Sequence, residues 1–226
     1  MAVGLSGPKR LASGRQIVDN GQARRAQRDW IMNTNIREAR ASDAAHLVRF
    51  INMAADDLPL HFWRKTVGPD GDPWALGAER AARETGSFSY RNAWLAEVDG
   101  AVAACLLGYA AETQPGPIDP DTPPLFVPLL ELEALAPGAW YLNVLATYDA
   151  YRGKGLGSAL LAHAEAVAAA AGHAEISLIA EDTHQDALRL YTAKGYREIA
   201  RRPVVKEDWA VDASEWILFT KAVARG

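Results

Sequence analysis

A glycine-rich stretch constrains the fold of this chain more than any other segment. Residues 151 to 158 read Tyr-Arg-Gly-Lys-Gly-Leu-Gly-Ser and lie between an apolar run, Trp140–Thr147, and an alanine-rich run, residues 159 to 171. This order predicts a strand, a glycine loop and a helix. Glycines at alternate positions leave backbone N–H groups uncovered, and the helix adds its unpaired N–H groups and the positive end of its dipole. Such a loop is suited to binding phosphate oxygens.

Two common phosphate-binding loops fit this stretch poorly. A Walker A loop needs Ser or Thr directly after Lys154, where Gly155 stands, and a dinucleotide-binding loop needs a third glycine where Ser158 stands. What remains is the pattern Arg-x-x-Gly-x-Gly, formed by Arg152, Gly155 and Gly157. Taken alone, this pattern is also compatible with a plain glycine-rich turn.

A second motif follows in residues 187 to 196, which read Ala-Leu-Arg-Leu-Tyr-Thr-Ala-Lys-Gly-Tyr. The two motifs together resemble the GNAT superfamily of N-acetyltransferases, whose members carry the first as an acetyl-coenzyme A loop and the second as Asn-x-x-Ala-x-x-Leu-Tyr-x-x-x-Gly-Phe. The chain departs from that pattern at His184, where the family has Asn, and conservatively at Tyr196. The positions that match are Ala187, Leu190, Tyr191, Gly195 and Tyr196.

The resemblance implies an α/β (α+β) fold with a mixed, mostly antiparallel sheet of six to seven strands flanked by helices. In such a fold strands 4 and 5 splay apart, and the pantetheine arm of acetyl-CoA lies between them. Here those strands would be Trp140–Thr147 and residues 175 to 180. The resemblance further implies cofactor contacts from two segments and one helix start, namely Leu145, Ala146, Thr147, Arg152, Gly153, Lys154, Gly155, Leu156, Gly157, Ser158 and His184. His184 could instead cap its helix.

Composition and charge restrict the partners of the chain. Its 226 residues contain no apolar run of the roughly 18 residues that span a membrane, and its single cysteine, Cys105, allows no intrachain disulfide, which favours a reducing cytoplasm. Residues 1 to 31 carry six basic and two acidic residues, so the formal net charge of −4 leaves −8 for the rest. An acidic body argues against nucleic acid and fits a cationic small-molecule or peptide amine. Pairing of exposed sheet edges would be a route to a homodimer.

We predict a mobile basic extension in residues 1 to 33 and a GNAT domain in residues 34 to 226. The extension could be a segment without a role in the fold, a basic arm that contacts nucleic acid or membrane, or a targeting segment. Residues 113 to 138 form an acidic insertion that holds seven of the twelve prolines. We expect it to wall or cover the acceptor site, with one or two helical turns at residues 127 to 135.

The remaining patterns predict the order of the elements. A short strand at residues 35 to 39 precedes a helix capped near Asp43, and a second helix runs from residue 73 or 74 to 84. The aromatic run at residues 61 to 63 would then lie between the two helices. A hairpin joins Ala93–Val98 to Ala101–Ala110. A helix at residues 185 to 194 and strands at residues 196 to 205 and 215 to 221 complete the fold.

The chemistry of amine acetylation selects the catalytic candidates. An alkylamine with a pKa near that of Lys, about 10.4, must lose a proton before it attacks, so the site needs a base. Glu131, Glu133, Tyr141 and Asn143 lie near or on strand 4, and we select Glu131 and Glu133 as candidates, with a solvated loop face as the alternative for both. The resemblance implies that Tyr191 is the general acid, and the alternative is a core tyrosine. Uncovered N–H groups of strand 4 would stabilise the developing oxyanion.

The predicted function is therefore an acetyl-CoA-dependent N-acetyltransferase that acetylates a primary amine by direct attack in a ternary complex. A coenzyme A-binding sensor or subunit without catalysis is the alternative, and a nucleotide-phosphate-binding protein is a second one. We expect no metal site, because His163, His173 and His184 are far apart on separate elements and lack thiolate partners.

Overall fold

The computed structural model describes residues 34–223, so the predicted basic extension lies outside the described residues. The strands are β1 (Thr34–Glu38), β2 (Ala93–Val98), β3 (Ala101–Ala110), β4 (Trp140–Thr147), β5 (Glu175–Glu181), β6 (Arg197–Pro203) and β7 (Glu215–Ala222). The helices are α1 (Ala44–Met53), α2 (Leu58–Val67), α3 (Pro73–Ala82), α4 (Val127–Glu133), α5 (Leu156–Ala170) and α6 (Gln185–Ala193). None of these helices is long and apolar enough to cross a membrane.

The seven strands form one mixed sheet in the order β1-β2-β3-β4-β5-β7-β6. All neighbours are antiparallel except β4 and β5. The β2–β3 hairpin has the predicted two-residue turn, in which Asp99 and Gly100 adopt φ angles of 51° and 79°. Positive φ at both turn positions matches the right-handed twist of the flanking strands. The predicted fold class is confirmed.

The pairing of β4 with β5 is short. Only Trp140 to Leu142 pair with Ile176 to Leu178, although both strands continue further in the same direction. Their carboxyl-terminal halves therefore separate, which confirms the predicted splay between strands 4 and 5.

Helices cover both faces of the sheet. Apolar side chains of α5 and α6 pack on one face, where Leu160, Leu161 and Tyr191 are buried. The other face carries α1 to α3, with Phe50 and Trp63 buried in a second cluster. The gap between β4 and β5 thus lies between two separately packed helical layers.

Helix α2 was not predicted. The aromatic run at residues 61 to 63 lies between the two predicted helices, as expected, but it is part of this additional helix. Pro59 resembles a helix breaker in the sequence, but it occupies the first turn, where no intrahelical N–H is required. The side-chain oxygen of Asn52 accepts the Leu60 N–H at 3.0 Å, which satisfies one of the unpaired donors of that turn. Trp63 then anchors the helix, with only 1% of its surface exposed.

Backbone hydrogen bonds join the two ends of the proline-rich insertion, and its second half contains a helix. Gly138 N–H donates to Glu112 O at 2.9 Å, and Ala111 N–H donates to Ala139 O at 2.9 Å. The predicted helical turns are confirmed as α4, which packs against β6 and β7 through the buried Leu132. The insertion is therefore joined to the sheet at both ends.

We predict that Gly108→Ala destabilises the fold by about 1–3 kcal/mol, the usual cost of overpacking a core. Gly108 is a buried residue of β3, and an added Cβ would lie 2.2 Å from the ring of Trp140. Urea denaturation measures the free energy of unfolding. Gly116→Ala is the control, since no atom lies within 4 Å of the added Cβ; equal stability of the two variants would contradict the prediction.

Candidate functional site

The glycine loop has the backbone geometry that its sequence predicts. Gly153 and Gly155 adopt φ angles of 73° and 85°, a region that other residues rarely occupy. Helix α5 starts at Leu156, three residues earlier than predicted, because Gly155 serves as its N-cap. A Cβ on Gly157 would lie 3.4 Å from Leu190 Cδ2. The two sequence motifs are therefore packed against each other at this point.

Backbone N–H groups of the loop are available to a ligand. Among residues 34–223, no acceptor is found for five of them, those of Gly153, Gly155, Leu156, Gly157 and Ser158. They precede or open the 15-residue helix α5, whose dipole adds positive potential. The loop therefore has the donors and the potential of an anion-binding turn.

Two basic side chains flank these donors. Arg152 Nε donates to Thr147 O at 3.3 Å, and its guanidinium lies 3.0 Å from the Asp149 carboxylate. Lys154 Nζ donates to Ala150 O at 2.9 Å. Both cations are thus held at the start of the loop, where β4 ends.

Strand β4 presents backbone groups to the gap. Tyr148 N–H donates to Ala103 O, and the register continues with Ala146 opposite Cys105. Backbone direction alternates along an antiparallel strand, so Leu145 and Thr147 direct their N–H and C=O groups away from β3 and into the gap. The backbone of Ala146 faces β3 instead.

A cavity of about 430 Å³ lies on the α1–α3 side of β4. Its walls come from the α1–α2 region, from Arg80 of α3, from the proline-rich insertion and from β4. Most of the lining side chains are apolar. Three ionisable side chains also line the cavity, those of Arg80, Glu133 and Tyr141. The insertion thus forms part of a wall next to the splayed strand.

The structure separates the two candidate glutamates. Glu133 lines the cavity, and burial, followed by the nearby Glu112 carboxylate, raises the pKa of Glu133 above its usual range. Glu131 is absent from the lining, and its carboxylate forms an ion pair with Arg202 at 2.5 Å. Among the two, only Glu133 is placed to meet a molecule in the cavity.

A hydrogen-bonded group of β3 and β4 side chains adjoins Glu133. Asn143 Nδ2 donates to the Tyr109 hydroxyl at 2.9 Å, and the rings of Tyr109 and Tyr141 meet edge to face at 5.6 Å. Asn143 lies at an irregularity of the β3–β4 register, which skips it between Leu142 and Val144. Burial raises the pKa of Tyr109 to about 12, and Glu133 contributes to this rise.

Tyr191 lies on the opposite face of the sheet, in α6. Its side chain is 6% exposed, and its ring packs against the rings of Tyr196 and Phe219. Its hydroxyl has no hydrogen-bond partner among residues 34–223. Burial raises the pKa of Tyr191 to about 12, so the phenol keeps its proton at neutral pH. Tyr191 also contributes to the raised pKa of Tyr141 on β4, which reflects their proximity.

His184 occupies the N-cap position of α6 but makes no side-chain cap hydrogen bond. Its Nε2 instead lies 3.1 Å from Asp56 Oδ1 and 3.8 Å from Glu181 Oε2. One ligand atom from each of these three residues lies within 4.8 Å of the others, so this cluster could hold a cation. The side chain of His184 is therefore engaged with carboxylates on β5 and on the α1–α2 turn.

A second, shallower depression of about 590 Å³ is lined by His61, Arg64, Lys65 and Asp208, with the loop that follows α2. It contains no residue of β4, β5 or the glycine loop. Although this depression is larger, it does not adjoin the splayed strand, whereas the cavity beside β4 does.

Sequence reasoning missed Arg80, Tyr109, Asp56 and Glu181 as site residues. Tyr109 of β3 pairs with Tyr141 of β4. Pairing the predicted hairpin with strand 4 in this register would therefore have identified Tyr109 as a site residue. Asp56 and Glu181 are 125 positions apart in the chain. No spacing rule joins them, since their proximity arises from the packing of the α1–α2 turn over the end of β5.

Comparisons with known proteins agree with this geometry. Residues 52–196 match the model of the Acetyltransferase (GNAT) family. Comparison with curated protein sequences gives no match. Among solved structures, one acetyltransferase is 22% identical, covers 84% of this chain and 100% of its own, and has a TM-score of 0.60.

Two further solved structures share the fold. An N-acetyltransferase from Staphylococcus aureus Mu50 is 20% identical over 83% of this chain and 100% of its own, with a TM-score of 0.59. The polyamine N-acetyltransferase of Drosophila melanogaster, which forms N-acetylagmatine, is 14% identical over 84% of this chain and 99% of its own, with a TM-score of 0.57. The family match spans more than half of the chain and includes both motifs. The chain therefore belongs to the GNAT family of acetyltransferases.

Proposed function

We propose that this acetyltransferase moves an acetyl group from acetyl-CoA to a primary amine by direct attack in a ternary complex, in the reducing cytoplasm. The observation that carries the proposal is the gap between β4 and β5. It has the cavity with Glu133 on one side and the helix with Tyr191 on the other. An amine and a thioester that enter from opposite faces would meet at this gap.

The residues around the gap fit acetyl-CoA. The N–H groups of Gly153, Gly155, Leu156, Gly157 and Ser158 suit its phosphate oxygens. Arg152 and Lys154 add positive charge. The gap-facing backbone of Leu145 and Thr147 suits the amides of pantetheine, which would replace the missing strand pairing. When bound there, acetyl-CoA supplies the acetyl group as a thioester. We leave His184 out of the proposed cofactor contacts, because its Nε2 faces Asp56.

Glu133 is the proposed proton acceptor. Burial raises the pKa of Glu133, which makes its carboxylate a stronger base than that of an ordinary surface glutamate. The apolar walls favour an acceptor with an apolar body. Arg80, which has no ion-pair partner among residues 34–223, favours a carboxylate on the same molecule. Together they suggest apolar amino acids or arylalkylamines ahead of polyamines.

Tyr191 is the proposed proton donor to the leaving sulfur. A phenol with a pKa of about 12 stays protonated across the physiological range and can give up its proton to a departing thiolate. The backbone of β4 near Asn143, where the register is irregular, is the proposed site of oxyanion stabilisation.

The proposal is tested by measuring free thiol released from acetyl-CoA across a panel of apolar amino acids, arylalkylamines, agmatine and polyamines. We expect turnover with one class of primary amine. Tight coenzyme A binding without turnover on any amine would favour the sensor or subunit. Binding of ATP in place of coenzyme A would favour a nucleotide-binding protein.

We predict that Tyr191→Phe lowers kcat by at least about tenfold, since a positioned general acid typically contributes about 10²- to 10⁴-fold. The KM for acetyl-CoA should change little, because the ring and its packing are kept. Steady-state thiol release measures both values. Tyr196→Phe is the control, as it removes a neighbouring buried hydroxyl and restores the residue typical of the family pattern. Loss of activity in the control alone would contradict the role of Tyr191.

We predict that Glu133→Gln lowers kcat/KM by roughly 100-fold and abolishes its fall at low pH. A base acts only when ionised, so the wild-type rate should fall as pH drops through the pKa of Glu133. Burial raises this pKa, which places the fall above the usual carboxyl value of about 4.3. The pH profile of kcat/KM is the measurement.

Glu131→Gln is the matched comparison, because it changes the same side chain two residues away, outside the cavity and paired with Arg202. We expect its pH profile to follow the wild type. If Glu131→Gln removed the acid limb and Glu133→Gln kept it, the assignment of the base would be reversed.

A further inference from the structure

Glu181 is a buried carboxylate that no Lys or Arg neutralises among residues 34–223. It ends β5, its side chain is 1% exposed, and neither of its oxygens has a hydrogen-bond partner among residues 34–223. No Lys or Arg pairs with it in that part of the chain. Burying an ionised carboxylate alone is strongly unfavourable, so such a group either keeps its proton or holds a cation.

Two further side chains that can ligate a metal ion lie next to this carboxylate. Asp56 comes from the α1–α2 turn and His184 from the start of α6, and their ligand atoms lie within 4.8 Å of each other and of Glu181. The turn is held in place by Trp209, whose Nε1 donates to Asp56 O at 2.9 Å. Three different segments thus converge on one point, and at least one of them is fixed independently of the carboxylates.

The separation between His184 and Asp56 matches that of two ligands around one ion, and the separation between His184 and Glu181 is slightly longer. With metal–ligand bonds of roughly 2.0–2.2 Å, neighbouring ligand atoms on a tetrahedral or octahedral ion lie about 3–3.6 Å apart. His184 Nε2 lies 3.1 Å from Asp56 Oδ1 and 3.8 Å from Glu181 Oε2. All three ligand atoms lie within 4.8 Å of one another, so the side chains must adjust to bring them to a common centre.

We infer that Asp56, Glu181 and His184 form a binding site for a divalent first-row transition ion, with Zn²⁺ as the best match. Two carboxylates balance the charge of the ion, and an imidazole ligand disfavours Ca²⁺ and Mg²⁺, which prefer oxygen-only shells. Asp56 and His184 are partly exposed, at 44% and 30%, so an ion can enter from solvent.

The inferred ion would join the acceptor side of the enzyme to the helix that carries Tyr191. Asp56 directly follows Ala55, which lines the cavity, and His184 directly precedes α6. With three protein ligands, open coordination positions remain for water or for a donor atom of a bound molecule. This inference does not depend on the identity of the acceptor amine or on the catalytic roles proposed above.

The test is titration of the full chain, stripped with a chelator, with Zn²⁺ alone in an isothermal calorimeter. We expect one equivalent to bind with micromolar or tighter affinity, and excess Mg²⁺ not to compete. Glu181→Gln and His184→Gln should each weaken binding by at least about tenfold, the minimum expected when a ligand is lost. Zn²⁺ should also raise the melting temperature of the wild type more than that of Glu181→Gln.

Matched controls are His46→Gln and Asp186→Asn, which remove an exposed imidazole and an exposed carboxylate outside the cluster. Both should bind Zn²⁺ like the wild type. Circular dichroism confirms that each variant is folded, and Glu181→Gln keeps the shape of the protonated carboxyl. Absence of binding at micromolar Zn²⁺, or equal binding by wild type and Glu181→Gln, would overturn the inference and leave the cluster as a proton-holding group.

Discussion

The end of hydrogen bonding between β4 and β5 is the constraint on which the rest of the site depends. After Leu142 and Leu178 the two parallel strands diverge, and the backbone groups of β4 that face the gap lose a strand partner. Buried backbone donors and acceptors are costly unless they are paired, so such a gap requires water or a ligand with amide-like groups. A strand-shaped ligand is the natural complement of that edge. The glycine loop, which follows β4 directly, then lies at the open end of the gap.

In the proposed mechanism, this opening divides the chemistry between the two faces of the sheet. Tyr191 is packed among aromatic rings on the α5–α6 face, where burial keeps its phenol protonated. Glu133 lies on the other face, in a cavity whose apolar walls raise its pKa without neutralising it by an ion pair. Environments that favour a protonated donor on one face and an accessible base on the other suit proton transfer in opposite directions. The proline-rich insertion matters because it supplies Glu133 and part of the cavity wall.

An element could be predicted from the sequence when the interactions that form it lie within a short segment of the chain. The β2–β3 hairpin could be predicted from Asp99-Gly100 between two apolar runs, because the turn is determined by backbone preference alone. The start of α5 was misplaced by three residues because Gly155 acts as an N-cap, a role that depends on its φ angle. Helix α2 was missed because its stability depends on a distant partner. Asn52 satisfies its first turn and Trp63 buries against the sheet, and neither contact is visible as a periodic pattern.

The sequence by itself determined the glycine loop, the Tyr191 helix and their order around a strand, since these depend on glycine conformations, helix starts and apolar periods within short segments. Only the tertiary structure decided which carboxylate meets the cavity. Glu131 and Glu133 stand two positions apart in α4. The packing of that helix against β6 and β7 places Glu131 beside Arg202 and Glu133 at the cavity. It likewise decided that Asp56, Glu181 and His184 converge. Contacts between distant segments depend on how complete layers pack, and no local spacing in the chain encodes them.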